Sequence, residues 1–302
     1  MTRSLVVEPA RPEERADAFG LVFQYLATGD RDARVTTALQ MIDKKEADPE
    51  GLFVAREGAG VVGALLCQPM PGAAAVAWPP QTRQRGRPEI EDELVRHAAG
   101  WLRTKGVKVA QALMPPSEAW MAAPLERHGF QHITRLWYLR KRVNQDAHGP
   151  RPVGLELQTY LQGPELFHQT LLRSYEGTLD CPELTGVRTI GEIIEGHKAQ
   201  GAFNPEVWWL ALEAGRPVGV LLIAETPEWE SWDVSYVGVV PEARRRGLGR
   251  TLVRLALAEA RRRKAHHLTI AVDARNLPAQ KLYEGLGFEP FDEREVFLAV
   301  WQ

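Results

Sequence analysis

The run Val239-Val240-Pro241-Glu242-Ala243-Arg244-Arg245-Arg246-Gly247-Leu248-Gly249 constrains this chain more than any other stretch. An apolar strand leads into it, and a helix is predicted to leave it at Arg250-Thr251. Such a strand–loop–helix turn points a row of backbone N–H groups, at the positive end of a helix dipole, into one small space. That space suits a pyrophosphate. Gly247 and Gly249 lack a Cβ, so the main chain can approach an anion closely and take φ > 0. The stripe Leu248, Leu252, Val253, Ala256, Leu257 and Ala260 has helical spacing, and the short apolar run His267–Val272 reads as a buried parallel strand. Together they predict a βαβ unit with an anion site at its first turn.

A glycine-rich turn before a helix is common. This one is neither a Walker loop nor a Gly-x-Gly-x-x-Gly fingerprint. A second motif follows it: Asn276-x-x-Ala279-x-x-Leu282-Tyr283-x-x-x-Gly287-Phe288. With Arg244-x-x-Gly247-x-Gly249 before it, separated by a helix and a strand, the order resembles the GNAT superfamily of N-acetyltransferases over roughly residues 153–302.

The resemblance implies acetyl-CoA as co-substrate, with no metal. Val239 would end a strand splayed from its neighbour, its free backbone groups pairing with the pantetheine arm, and Val240 leads into the loop. The N–H groups of Arg245, Arg246, Gly247, Leu248, Gly249 and Arg250 would hold the pyrophosphate, with Arg244 and Thr251 flanking them. Asn276 and Ala279 would bond the cofactor arm or brace its loop. Tyr283, one turn into the next helix, would protonate the departing thiolate, a task suited to a phenol that is neutral at pH 7. Tyr283 also reads as a packed aromatic beside Gly287-Phe288, and Arg244 to Arg246 as solvated charge, but the full motif favours the acid role and the place of the arginines among the glycines favours phosphate binding.

Direct attack on a thioester needs a neutral amine, so a carboxylate or an ordered water must take up a proton. Strand alternation puts Asp233, Ser235, Val237 and Val239 on one face, making Asp233 the first candidate base, with Glu230 behind it. Asp233 is also readable as a strand-end residue in water. Acceptor recognition falls on residues 165–203, whose Ser174–Leu184 stretch mixes acids, an aromatic and breakers. There Glu176 and Asp180 have three readings: attracting a cationic amine, capping the next helix, or facing water.

The first half is a faded copy of the second. Phe53–Glu57 and Val62–Leu66 align without gaps on Trp209–Glu213 and Val218–Leu222. Pro80–Pro88 aligns with the phosphate loop, and His128-Gly129-Phe130 echoes Leu286-Gly287-Phe288. The copy departs where chemistry would sit. Pro88 replaces the second loop glycine and removes an N–H, Leu125 stands for Tyr283, and Glu118 for Asn276. Residues 1–143 are therefore expected to form a degenerate GNAT-like domain, 144–152 a polar, breaker-rich linker, and 153–302 the acetyl-CoA-binding catalytic domain. Arg83 and Gly86 leave room for a vestigial CoA site. Each half is expected to be α/β, a mixed, mostly antiparallel sheet flanked by helices. The tandem plan is similar to that of the mycothiol synthases, which acetylate a cysteinyl pseudodisaccharide; the plan alone does not carry that substrate over.

Composition narrows the partners. A net charge of −2 gives no general pull toward nucleic acid or anionic membranes, and the 8 histidines show no zinc spacing. The two cysteines form no CxxC pair, which fits a reducing cytoplasm, and no apolar run is long enough to span a bilayer. The predicted function is transfer of acetyl from acetyl-CoA to a primary amine of a small molecule or peptide, by direct attack in a ternary complex. The alternatives are a non-catalytic CoA-binding sensor or scaffold, and a transferase of another acyl-CoA. Oligomeric state is not legible.

Overall fold

The computed structural model describes residues 5–143, 154–226 and 231–301. The expected linker at 144–152 lies outside the described residues, as does Glu230, the second candidate base. In chain order the first half holds β1 (Leu5–Pro9), α1 (Arg15–Val22), α2 (Thr28–Asp43), β2 (Leu52–Glu57), β3 (Gly60–Met70), β4 (Ala74–Ala77), β5 (Gln81–Thr82), α3 (Pro88–Thr104), β6 (Val109–Met114), α4 (Ala123–Glu126) and β7 (Gln131–Arg142). The second holds β8 (Glu156–Thr159), α5 (Pro164–Ser174), α6 (Ile190–Lys198), β9 (Trp208–Glu213), β10 (Arg216–Thr226), β11 (Ser231–Val239), α7 (Leu248–Arg262), β12 (His267–Asp273), α8 (Leu277–Glu284) and β13 (Glu289–Val300). Each half is α/β with a mixed, mostly antiparallel sheet, as expected.

The chain divides into two compact units, but not at the expected place. One is Met1–Ile133 with Glu295–Gln302; the other is Thr134–Arg294. In the first, the end of β13 pairs antiparallel with β6 from Glu295↔Met114 to Val300↔Val109. In the second, β7 pairs antiparallel with β12 from Asp273↔Leu136 to His267↔Arg142. The closing strand of each half thus completes the sheet of the other half's unit. Residues 1–143 and 153–302 are not the compact pieces, because an apolar terminal strand fits either of two like sheet edges.

The repeat is visible in backbone detail. Gly86 and Gly247 both take left-handed φ (77° and 83°), as do Gly129 and Gly287 (92° and 77°). After those last two, Phe130 N–H donates to Leu125 O at 3.1 Å and Phe288 N–H to Tyr283 O at 3.0 Å. In the second unit, α7 buries Leu252, Val253, Ala256 and Ala260, a stripe against the β10–β12 sheet. Burying this stripe fixes the start of α7 at the end of β11.

Candidate active site

The splay expected after β11 is present. β11 and β12 pair in parallel only from Ser231↔His267 to Val234↔Ile270. Beyond that, residues 235–239 and 271–272 diverge and line the two walls of a cleft of about 760 Å³. Leu248, Gly249, Asn276, Ala279 and Tyr283 close its other side.

At one end of this cleft the N–H groups of residues 245–250 donate to no acceptor among the described residues, whereas Arg244 N–H bonds Pro241 O and Thr251 N–H bonds Gly247 O. Two left-handed residues, Arg245 (φ 59°) and Gly247 (φ 83°), turn this row inward. Nothing lies within 4 Å of where a Gly247 Cβ would stand, so the open face is available to a ligand. Consecutive free donors at a helix start form an anion cradle. No carboxylate occupies the first turn of α7. In the copy, Pro88 removes a donor and Glu89 and Glu91 sit in the first turn of α3. Those carboxylates oppose a phosphate.

The arginine side chains take other work. Arg244 Nη2 donates to Ser174 O (3.0 Å) and Glu176 O (2.6 Å), Nη1 to Gly177 O (3.2 Å), and Nε to Val239 O (3.0 Å). Its guanidinium is used up binding the Ser174–Gly177 backbone to the end of β11. Arg246 pairs with Glu213 at 2.7 Å, and Arg250 donates to Gly285 O at 3.0 Å. Val240 is fully buried, its N–H on Val218 O, and Thr251 Oγ1 donates to Gly247 O. Of these five, only Arg244 and Arg250 line the cleft. Asn276 caps α8, its Oδ1 accepting from Ala279 N–H at 3.2 Å. That is the bracing half of its expected role.

Tyr283 lines the cleft, 6 % exposed, its ring 6.0 Å from Phe288. Burial, then the nearby Asp180 charge and Tyr236, push its hydroxyl pKa well above the usual phenol range. The phenol therefore stays protonated and able to donate.

Asp233 sits otherwise than strand alternation suggests. Leu222 pairs with Tyr236 and Ile223 with Val234, leaving Ser235 as the extra residue of a β-bulge. The bulge interrupts the alternation between Asp233 and Val237, so the four residues do not share one face. Asp233 is absent from the cleft lining; its carboxylate accepts from Thr269 Oγ1 at 2.7 Å, and burial raises its pKa.

The cleft instead receives Asp180, whose pKa is raised by burial and by the Asp273 charge, though the Asp273 N–H donates to its Oδ1 at 2.9 Å. Asp273 is fully buried. Burial pushes its pKa up, but hydrogen bonds from Arg275, Thr134 and Cys181 N–H outweigh this and hold it at about 2. The pair ties the Asp180-Cys181 turn to the end of β12. Sequence reasoning missed Tyr236, whose hydroxyl meets Ser174 Oγ at 2.9 Å on the cleft wall. Its nearest signal was Gly238, a glycine inside an apolar strand: a Cβ there would lie 2.7 Å from Ser174 Cβ and 2.6 Å from Tyr236 Cε1.

Comparison with known proteins agrees with this geometry. Residues 178–288 match the family model described as acetyltransferase (GNAT) family. A mycothiol acetyltransferase of Thermobispora bispora is 32% identical over 190 residues, 61% of this chain and 62% of that protein. One from Thermobifida fusca is 28% identical over 266 residues, 78% of this chain and 77% of that one. The first match thus spans less than two thirds of its relative's length. Among solved structures, a GCN5-related N-acetyltransferase from Sphaerobacter thermophilus superposes at TM-score 0.61, with 19% identity over 98% of this chain and 95% of that one. A tandem GNAT protein from the clavulanic acid biosynthesis pathway gives 0.54, with 18% identity over 98% of both chains. Among the described residues no helix is long and apolar enough to cross a membrane, and no group of three or more His, Cys, Asp or Glu is placed to hold a metal ion. Residues 178–288 of this chain thus carry a match to the GNAT family of acetyltransferases.

Proposed function

We propose that the second unit transfers acetyl from acetyl-CoA to a primary amine, by direct attack in a ternary complex, and that the first unit has lost this chemistry. The observation that carries the reading is the row of unpartnered N–H groups at residues 245–250, opening onto the splayed β11 edge and Tyr283. Those N–H groups hold the pyrophosphate, the β11 edge pairs with the pantetheine amides, and the cofactor supplies the activated acetyl group. Arg244 positions the cofactor strand and the acceptor loop rather than touching phosphate.

Tyr283 donates its proton to the departing thiolate; its raised pKa keeps that proton available at neutral pH. Two buried carboxylates are candidates to accept the proton of the amine. Asp180 lines the same cleft as Tyr283 and is favoured; Asp233, beside Thr269, is the second. The acceptor is a small-molecule or peptide amine. The mycothiol acetyltransferase relatives, together with the tandem-plan resemblance to the mycothiol synthases, make the acceptor of that family the first compound to try.

The test is thiol release from acetyl-CoA against a panel of amines. Turnover with a primary amine, lost in Tyr283→Phe, supports the reading. Tight CoA binding with no thiol release across the panel points instead to a sensor or scaffold, and preference for a longer acyl-CoA to a different transferase.

A further inference from the structure

The first unit contains a cleft of about 590 Å³ that is separate from the loop copied from the phosphate site. This volume falls within the roughly 300–1,000 Å³ of small-molecule sites. Its floor is Phe19, Phe23, Leu52, Leu66 and Trp78, and its roof is one face of α2 from Ala33 to Ile42.

The second unit shows what the same place looks like when filled. Leu52 matches Trp208 by the hairpin alignment. Trp208 is 1 % exposed and packs on Phe167 (6.0 Å), Phe203 (4.8 Å) and Tyr160 (5.5 Å). Its overlying helix, α6, buries Ile193 and Ile194. Over the first unit the 16-residue α2 buries no residue at all. A leucine in place of an indole, under a helix that packs on this core only through the partly buried Val35, Ala38, Leu39 and Ile42, leaves a space with apolar walls beneath α2. Removing such walls from water favours an apolar occupant.

The polar groups at this cleft are largely spoken for. Asp48 accepts from Glu50 N–H at 2.9 Å and faces Lys105 at 3.6 Å. Gln68 accepts from Asp48 N–H and donates to Pro69 O, and Thr37 donates to Ala33 O. Asp30 lies in the first turn of α2, where a carboxylate complements the helix dipole. Arg34 is left, a guanidinium at the mouth with no hydrogen bond or ion pair among the described residues.

We propose that this cleft is a second binding site, for an apolar small molecule ending in a carboxylate, with its hydrocarbon part beneath α2 and its carboxylate on Arg34. The site is independent of acetyl transfer in the second unit.

The test is calorimetric titration of the full chain with decanoate and with decan-1-ol, both below the concentrations at which they self-associate. Decanoate should bind saturably, one per chain, and decan-1-ol about tenfold more weakly. Arg34→Gln should bring decanoate down to the level of the alcohol. Thr37→Trp, which drives an indole into the cleft from α2, should weaken both ligands about tenfold or more. Should that variant not fold, Met41→Arg, at a position 40% exposed, places a charge against the apolar walls with the same expected loss. Absence of saturable decanoate binding, binding unchanged by these cleft variants, or equal affinity for acid and alcohol would each overturn the proposal. Thiol release by the same variants serves as the control for an intact second unit.

Discussion

Arg244 Nη2 lies 3.0 Å from Ser174 O, so the guanidinium of the first arginine in the phosphate-loop motif is spent on the Ser174–Gly177 backbone. The same guanidinium reaches Glu176 O, Gly177 O and Val239 O. Arg244→Gln leaves at most part of this clamp. The expected result is a rise in acceptor KM of about tenfold or more, with acetyl-CoA Kd changed less than about threefold. Calorimetry and steady-state kinetics separate the two. A tenfold loss of acetyl-CoA affinity with unchanged acceptor KM would mean that the side chain serves the phosphates.

Tyr283 and the cofactor thiolate make the next prediction. Tyr283→Phe removes one hydroxyl from a buried ring packed against Phe288. Turnover should fall about 100-fold or more, with acetyl-CoA affinity held within about threefold. Unchanged turnover at saturating substrates would remove Tyr283 as the acid.

Asp180 and Asp233 both have pKa values raised by burial, so either would be a working base only above the ordinary carboxylate range. The acid limb of the kcat/KM profile should therefore sit above that range. Asp180→Asn should abolish the limb and lower turnover, while Asp233→Asn should preserve the limb. The reverse pattern would give the role to Asp233.

His197, in the last turn of α6, packs against Tyr175, its Nε2 3.2 Å from that hydroxyl. Burial, reinforced by the Arg188 charge, lowers its pKa from 6.5 to about 4. The folded state thus holds it neutral while the unfolded chain protonates. Its contribution to stability is fully present above pH 6.5 and is lost as pH falls from there to about 4. The loss is on the order of 3 kcal/mol. Denaturant titrations across that window should show the slope, and His197→Phe should flatten it.

The repeat and both motifs were legible because each rests on local chemistry, and the splayed strand because the family resemblance implied it. Gly86, Gly247, Gly129 and Gly287 are glycines at left-handed positions, and those positions select glycine wherever they occur. Two things were not legible. A single extra residue, Ser235, shifts the phase of β11, and nothing in an alternating run marks where a bulge falls. The exchange of β7 and β13 was hidden for another reason: two like sheets offer like edges, and a strand's own pattern does not name its neighbour. Arg244 shows a third limit. An arginine in an anion loop reads as a phosphate ligand until its guanidinium is seen on four carbonyls.

The two halves supply their own decisive experiment, since Pro88 stands in the copy where Gly249 stands in the cradle. Gly249→Pro removes one N–H from the cradle at the second position of α7, where a helix tolerates proline. Gly249→Ala keeps that N–H and adds a Cβ whose nearest neighbour is a flexible leucine side chain, Leu282 Cδ1 at 3.2 Å. Acetyl-CoA should bind the native chain with one site, Gly249→Ala within about threefold, and Gly249→Pro at least about tenfold more weakly. Equal affinity of the proline variant and the native chain, or no binding to the native chain, would contradict the placement of the cofactor at residues 245–250.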